Sequence, residues 1–192
     1  MNASVAMLAS SPQPARFGAA DYIAMIAAGV LSRRPRAELR EGVVVEMAPE
    51  YRYHARAKLA LAIALRSALA EIAPQLEVLV DVTVRLDDAN VPTPDISVFM
   101  AFATDGPVPV DALRLVVEVS VTTLGDDLGP KRALYARAGV AEYWVVDVSA
   151  RTVHQFCDPG AAGYGSAAVT AFGAPLTSRT IAGLGLPGDI WN

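Results

Sequence analysis

The chain has 192 residues, 53% of them hydrophobic, with a net charge of −4 and a single cysteine. That length suits one domain whose core needs no staples, and Cys157 alone excludes an internal disulfide and a cysteine-based zinc site. The acidic balance argues against a protein that coats nucleic acid by bulk electrostatics, but leaves room for an enzyme that grips a few phosphates.

The N-terminus has no basic region and no stretch of 18 or more residues is both uncharged and strongly apolar, so a cytoplasmic protein with no membrane association is expected. Residues 1–16 read as a flexible leader and residues 17–192 as a single domain. Ala19 to Leu31 predicts a helix with Tyr22, Ile23, Ile26 and Val30 on one stripe, closed by Pro35. Ala37 to Ala48 predicts two short strands around Glu41-Gly42, a hairpin signal. Tyr53 to Ala73 is the strongest helical pattern. Its apolar positions Leu59, Ala62, Ile63, Leu65, Leu69 and Ile72 recur at three- and four-residue spacing, and Pro74 stops it.

Leu76 to Leu86 alternates like a half-buried strand, and Asp87 to Asn90 turns. Asp95 to Phe102 and Leu113 to Val121 are two more strands. Leu128 to Ala138 reads as a helix with Pro130 in its first turn and Gly139 past its end. Glu142 to Val148 and Thr152 to Phe156 follow as strands, and the Gly- and Pro-rich tail ends in a strand or turn near Ile181 to Trp191. There is no repeat or linker. This order predicts an α/β fold with a mixed central sheet flanked by helices.

One polar constellation interrupts the apolar pattern. Glu118 lies within a strand that is β-branched and apolar on both faces, where a carboxylate costs several kcal/mol or so unless a partner or metal compensates. Asp95 and Lys131 are the nearest candidates. Two carboxylates and a lysine beside a sheet form the minimum set for metal-assisted phosphodiester hydrolysis. Asp95 and Glu118 would hold Mg²⁺ (or Mn²⁺) with the Val119 backbone carbonyl. Lys131 would orient or deprotonate water, or stabilise charge on the phosphorus centre.

Lysine is scarce: of 16 basic residues only Lys58 and Lys131 are lysines. A purely structural pair of Glu118 with Lys131 or Arg132 is the bland alternative. The arginines at 33, 34, 36 and 40, and the group Arg52, Arg56 and Lys58, read as solvated faces. His54 fits a surface histidine at a helix start, and no strong aromatic–basic surface is legible.

Pro94-Asp95, the run Val116 to Ser120, Asp127 to Lys131, and Leu134 to Asp147 together resemble the Uma-two family of bacterial restriction endonucleases in the PD-(D/E)xK nuclease superfamily. Glu41-Gly42 through His54 is similar to that family's N-terminal hairpin and helix start. The resemblance implies a restriction-endonuclease-like sheet with Asp95 and Glu118 as metal ligands and Lys131 as the catalytic lysine. Ser120 stands where the Glu-x-Lys motif would end, so the lysine would have migrated to the following helix. Val121 stands where members often carry an acidic residue. Glu38, His54 and Ser120 are secondary candidates.

The resulting expectation is a DNA endonuclease acting as a homodimer. A non-catalytic nuclease-fold module binding nucleic acid or protein, and a hydrolase of another phosphoester, are the rivals.

Overall fold

Turn chemistry sets up the first elements of the computed structural model, which describes residues 14–34 and 36–191. Helix α1 (Ala19–Ala27) packs Ala19 and Tyr22 against Leu39 and Val91, and the Tyr22 hydroxyl donates to the Ala37 carbonyl at 2.6 Å. Gly29, at φ 71°, ends it, so Ile26 and Val30 are exposed rather than on the predicted stripe. The predicted stop at Pro35 and most of the 1–16 leader lie outside the described residues.

Strands β1 (Ala37–Arg40) and β2 (Val43–Glu46) form the expected hairpin. Glu41 and Gly42 turn it with φ of 48° and 75°, the positive values that two-residue hairpins need. A Cβ at Gly42 would also lie 2.9 Å from the Arg16 side chain.

Helix α2 (Arg52–Ile72) is where the predicted one lies, but its buried stripe differs. Ala57, Leu61, Leu65 and Leu69 face the core, while Leu59 and Ile63 are 60% and 58% exposed. Two overlapping four-residue series compete in an alanine-rich helix, and the sheet selects the one containing Leu61.

Strand β3 (Leu76–Val80) stops at Asp81, whose φ is 51°. The single strand predicted to Leu86 is therefore two, the second being β4 (Val84–Arg85), which pairs with β6 (Val108–Pro109). Strands β5 (Ile96–Met100) and β7 (Leu113–Ser120) match the sequence reading.

After β7 the chain turns helical at Leu124, earlier than predicted. Helix α3 (Leu124–Asp126), a π-helical turn (Asp127–Lys131) and α4 (Arg132–Arg137) run on without a break. Pro130 has no N–H for the α-helical ladder, and the widened turn accommodates it. Gly139, at φ 81°, lies past the end as expected.

Strand β8 (Glu142–Asp147) leads to β9 (Thr152–Gly160), longer than predicted, and to an unpredicted β10 (Gly163–Ala171) made largely of small residues. The tail holds β11 (Leu176–Thr177), β12 (Gly185–Leu186) and a 3₁₀ turn, Gly188–Trp191.

The central sheet is mixed, in the order β10-β9-β8-β7-β5-β3. Only β7 and β8 are parallel within it, and the α3–α4 segment supplies the crossover a parallel pair requires. Alternation then assigns faces. Leu115, Val117 and Val119 pack with Leu61, Leu65 and Leu69 of α2. Val116 packs with Leu134 and Tyr135 of α4, so Glu118 shares the α4 face. Among the described residues no helix is long and apolar enough to cross a membrane.

In urea unfolding, Leu65→Ala should cost about 2–5 kcal/mol, as for a core leucine. Ile63→Ala should cost under about 1 kcal/mol. Equal costs would mean that α2 is rotated from the orientation described.

Candidate active site

The site forms where two central strands part. Strand β5 pairs with β7 only as far as Ile96↔Val117, whereas β8 follows β7 to Ser120↔Asp147. Beyond Val117, the β5 side of β7 has no strand partner. The Val119 N–H on that side donates to Asp95 Oδ2 at 2.7 Å. A strand residue turns its N–H and C=O the same way, so the Val119 carbonyl faces the same opening. A cavity of about 50 Å³ lies there, lined by Asp95, Glu118, Val119, Asp127, Lys131 and His54 among others.

Glu118 is 3% exposed. Its Oε1 lies 3.0 Å from Lys131 Nζ and accepts from the Tyr135 hydroxyl at 2.8 Å. Burial pushes the Glu118 carboxyl up, with Lys131 pulling it down and Asp95 and Asp127 pushing it up. Burial alone would lower Lys131, yet Glu118, Glu38 and Asp127 outweigh it and hold the side chain as an ammonium. Arg132, the other proposed partner of Glu118, lies instead over the Phe156 ring.

Lys131 is delivered by the π-helical turn, which also carries Asp127, 3.5 Å from its ammonium. Asp127 is fixed in turn by the hydroxyls of Ser120 and Thr123, both at 2.6 Å. Ser120 thus supports the lysine's neighbour from the strand position where a lysine would end the motif.

His54 is no surface histidine. Its Nε2 lies 3.1 Å from Asp95 Oδ2 and its Nδ1 2.7 Å from Glu50 Oε1. With both ring nitrogens facing carboxylates its pKa is raised, although burial opposes this. Glu38 also lines the cavity, bound by the Thr93 N–H and by Arg40, which reaches on to Asp126 at 2.7 Å.

The structure therefore gathers Asp95, Glu118, Lys131, Glu38 and His54 around one opening, and Ser120 reaches it only through Asp127. Sequence reasoning missed Asp127, Tyr135, Glu50 and Lys58. The last had a signal: Lys58 is the chain's other lysine, and it is buried at 6% exposure rather than on a solvated face. Its ammonium meets Glu50 and Asp81 at 2.8 Å each and Asp95 at 3.8 Å.

Two overlapping donor sets can be read. Asp95, Glu118 and the Val119 carbonyl present oxygen alone. Ligand atoms of Glu50, His54 and Asp95 all lie within 4.8 Å of one another and add an imidazole nitrogen. Asp95 belongs to both.

Burial would raise Glu50, but hydrogen bonds from Lys58 and His54 outweigh it and bring the carboxyl down to about 2. A lowered carboxyl stabilises the fold fully above its unfolded value near 4.5 and loses that contribution as pH falls through 2. His54 works in the opposite sense: its contribution is complete below 6.5 and fades as pH rises through its raised value. In EDTA, the melting temperature should fall on acidification below about pH 4.5, and Glu50→Gln should flatten that fall. At neutral pH the substitution should cost about 1 kcal/mol, allowing for screening at a partly exposed group. An unchanged acid limb would mean that Glu50 is not held by these partners.

A family model described as "Uma2: Putative restriction endonuclease" matches residues 19–188. Among solved structures, a "putative nuclease belonging to DUF820" from Anabaena variabilis superposes with a TM-score of 0.62 at 15% identity. The match covers 82% of this chain and 89% of that one. At that identity the likeness shows the fold alone. No curated protein matches the chain.

Proposed function

This chain belongs to the Uma2 family, and on that premise we propose that it is a metal-dependent endonuclease hydrolysing DNA phosphodiester bonds, with Asp95 and Glu118 as metal ligands. The observation that carries this is the convergence of Asp95, Glu118 and Lys131 on one cavity where β5 and β7 part.

The donor set fits a hard divalent cation. Five carboxylates line the cavity; Arg40 and Lys58 meet Glu38 and Glu50, while Asp95, Glu118 and Asp127 share His54 and Lys131. Asp95, Glu118 and the Val119 carbonyl offer the oxygen ligands that Mg²⁺ or Mn²⁺ prefers. His54 in the set would favour Mn²⁺. Bound there, the ion would polarise a phosphoryl oxygen and make a nearby water more acidic.

The chain's own groups do the rest. Lys131, held as an ammonium by Glu118 and Asp127, donates rather than accepts protons. It orients the attacking water and neutralises charge building on the phosphorus centre, a narrower role than deprotonating water. Tyr135 fixes the Glu118 carboxylate, and the Ser120 and Thr123 hydroxyls fix Asp127, so the site is held before substrate arrives. A homodimer would let two such sites address both strands of a duplex. The second reading, a non-catalytic module of the same fold, draws on one observation: Glu118 and Lys131 already satisfy each other.

Supercoiled plasmid should be nicked in Mg²⁺ or Mn²⁺ and not in EDTA. Asp95→Ala, Lys131→Ala and Glu118→Gln should each reduce nicking at least about a hundredfold. Glu118→Gln leaves the buried Lys131 ammonium to Asp127 alone and should itself cost about 3–5 kcal/mol, so nicking is compared below that variant's melting temperature. Folded protein that neither cuts nor binds divalent ions would establish the module instead.

A further inference from the structure

Beside the site runs a second cleft, of about 310 Å³, built from segments far apart in sequence. Tyr53 and Arg56 at the start of α2 form one wall, and Arg151, Phe172 and Trp191 the other. The Phe172 and Trp191 rings stack 4.1 Å apart and 5° from parallel, and the Arg151 guanidinium lies over Phe172 at 5.3 Å. Tyr53 is 62% exposed and carries Arg52 over its ring at 5.0 Å.

The cleft adjoins the site. Tyr51 lines the site cavity two residues before Tyr53 lines the cleft. Val148, also in the cleft, donates its N–H to the Ser120 carbonyl at the end of β7.

Its charge is of one sign on a chain that is net acidic. Among the described residues, Arg52, Arg56 and Arg151 enter no ion pair, and no carboxylate lines the cleft. Arginines without carboxylate partners, interleaved with aromatic rings, are the chemistry that binds unpaired nucleotides: cations follow the phosphates and rings stack on bases. A duplex keeps its bases stacked on one another and offers only its phosphates to such a surface.

We propose that this cleft holds a single-stranded DNA segment flanking the phosphodiester at the Asp95–Glu118 site, with a base stacked at Tyr53 or Trp191 and phosphates on Arg56 and Arg151. The proposal rests on the nuclease reading for the identity of the neighbouring site, but its test does not need cleavage.

Labelled oligo(dT) is titrated with the full chain in EDTA and followed by fluorescence anisotropy at several salt concentrations. Wild type should bind it more tightly than a duplex of equal length. Arg56→Gln and Arg151→Gln should each weaken binding several-fold and reduce the log–log salt slope by roughly 0.7. Tyr53→Leu should weaken it about tenfold. Unchanged binding in all three variants, tighter binding of duplex, or no binding by folded wild type would overturn the proposal. Oligonucleotide binding that depends on these residues, without plasmid nicking, would retain the cleft and remove the nuclease. Metal-dependent nicking, with binding indifferent to the three substitutions, would do the reverse.

Discussion

A carboxylate in the middle of a sheet has to be answered, and much of this molecule is arranged around how a cation answers Glu118. The strand that carries it is apolar on both faces, so water cannot do so. The answer comes from Lys131, on a segment that returns the chain from β7 to β8. That return is the crossover that makes these two strands parallel. It contains a proline, and the widened turn around Pro130 presents Asp127 and Lys131 together. Topology, helix geometry and electrostatics thus meet in five residues.

The same logic applies a second time on the α2 side. Lys58 and His54 meet Glu50, Asp81 and Asp95, and Asp95 is the member that touches both groups through Val119 and the shared cavity. Asp81 reaches Lys58 from a left-handed backbone position, which also breaks the edge strand. Acidic and basic groups are therefore interleaved, with carboxylates in excess. An assembly of this kind is costly without a cation to complete it. A contrast is instructive: Glu142 is fully buried too, but the Trp144 indole, the Ser178 and Thr180 hydroxyls and two backbone N–H groups surround it. Neutral donors suffice there, and the result fastens the tail to β8.

The strands were legible because alternation and β-branching act locally, and the Glu41-Gly42 hairpin because its turn demands positive φ. The convergence of Asp95 and Lys131 on Glu118 was legible because a lone acid in an apolar strand is an anomaly in any context. Helix α2 was placed correctly but rotated, since alanine-rich helices offer several plausible stripes and only the sheet chooses. Strand β10 escaped notice because Gly, Ser and Ala carry little strand signal and its pairing with β9 does the work. His54 and Lys58 looked like solvent-facing residues because two of their carboxylate partners, Asp81 and Asp95, are more than twenty residues away and only Glu50 is local. The same distance hid the grouping of Tyr53, Arg151, Phe172 and Trp191.

The location of the ammonium on a helix rather than a strand has a mechanical meaning. Two residues apart on one strand, a glutamate and a lysine are kept in register by covalent geometry. Here their separation is set by how α4 seats on the sheet, through Leu134, Tyr135 and the Tyr143 ring 4.9 Å from that of Tyr135. The Tyr143 hydroxyl even holds the Asp127 carbonyl at 3.0 Å. The seam between helix and sheet thereby acts as the spacer of the site. Repacking it by a methyl group would retune the ammonium without altering any residue that lines the opening.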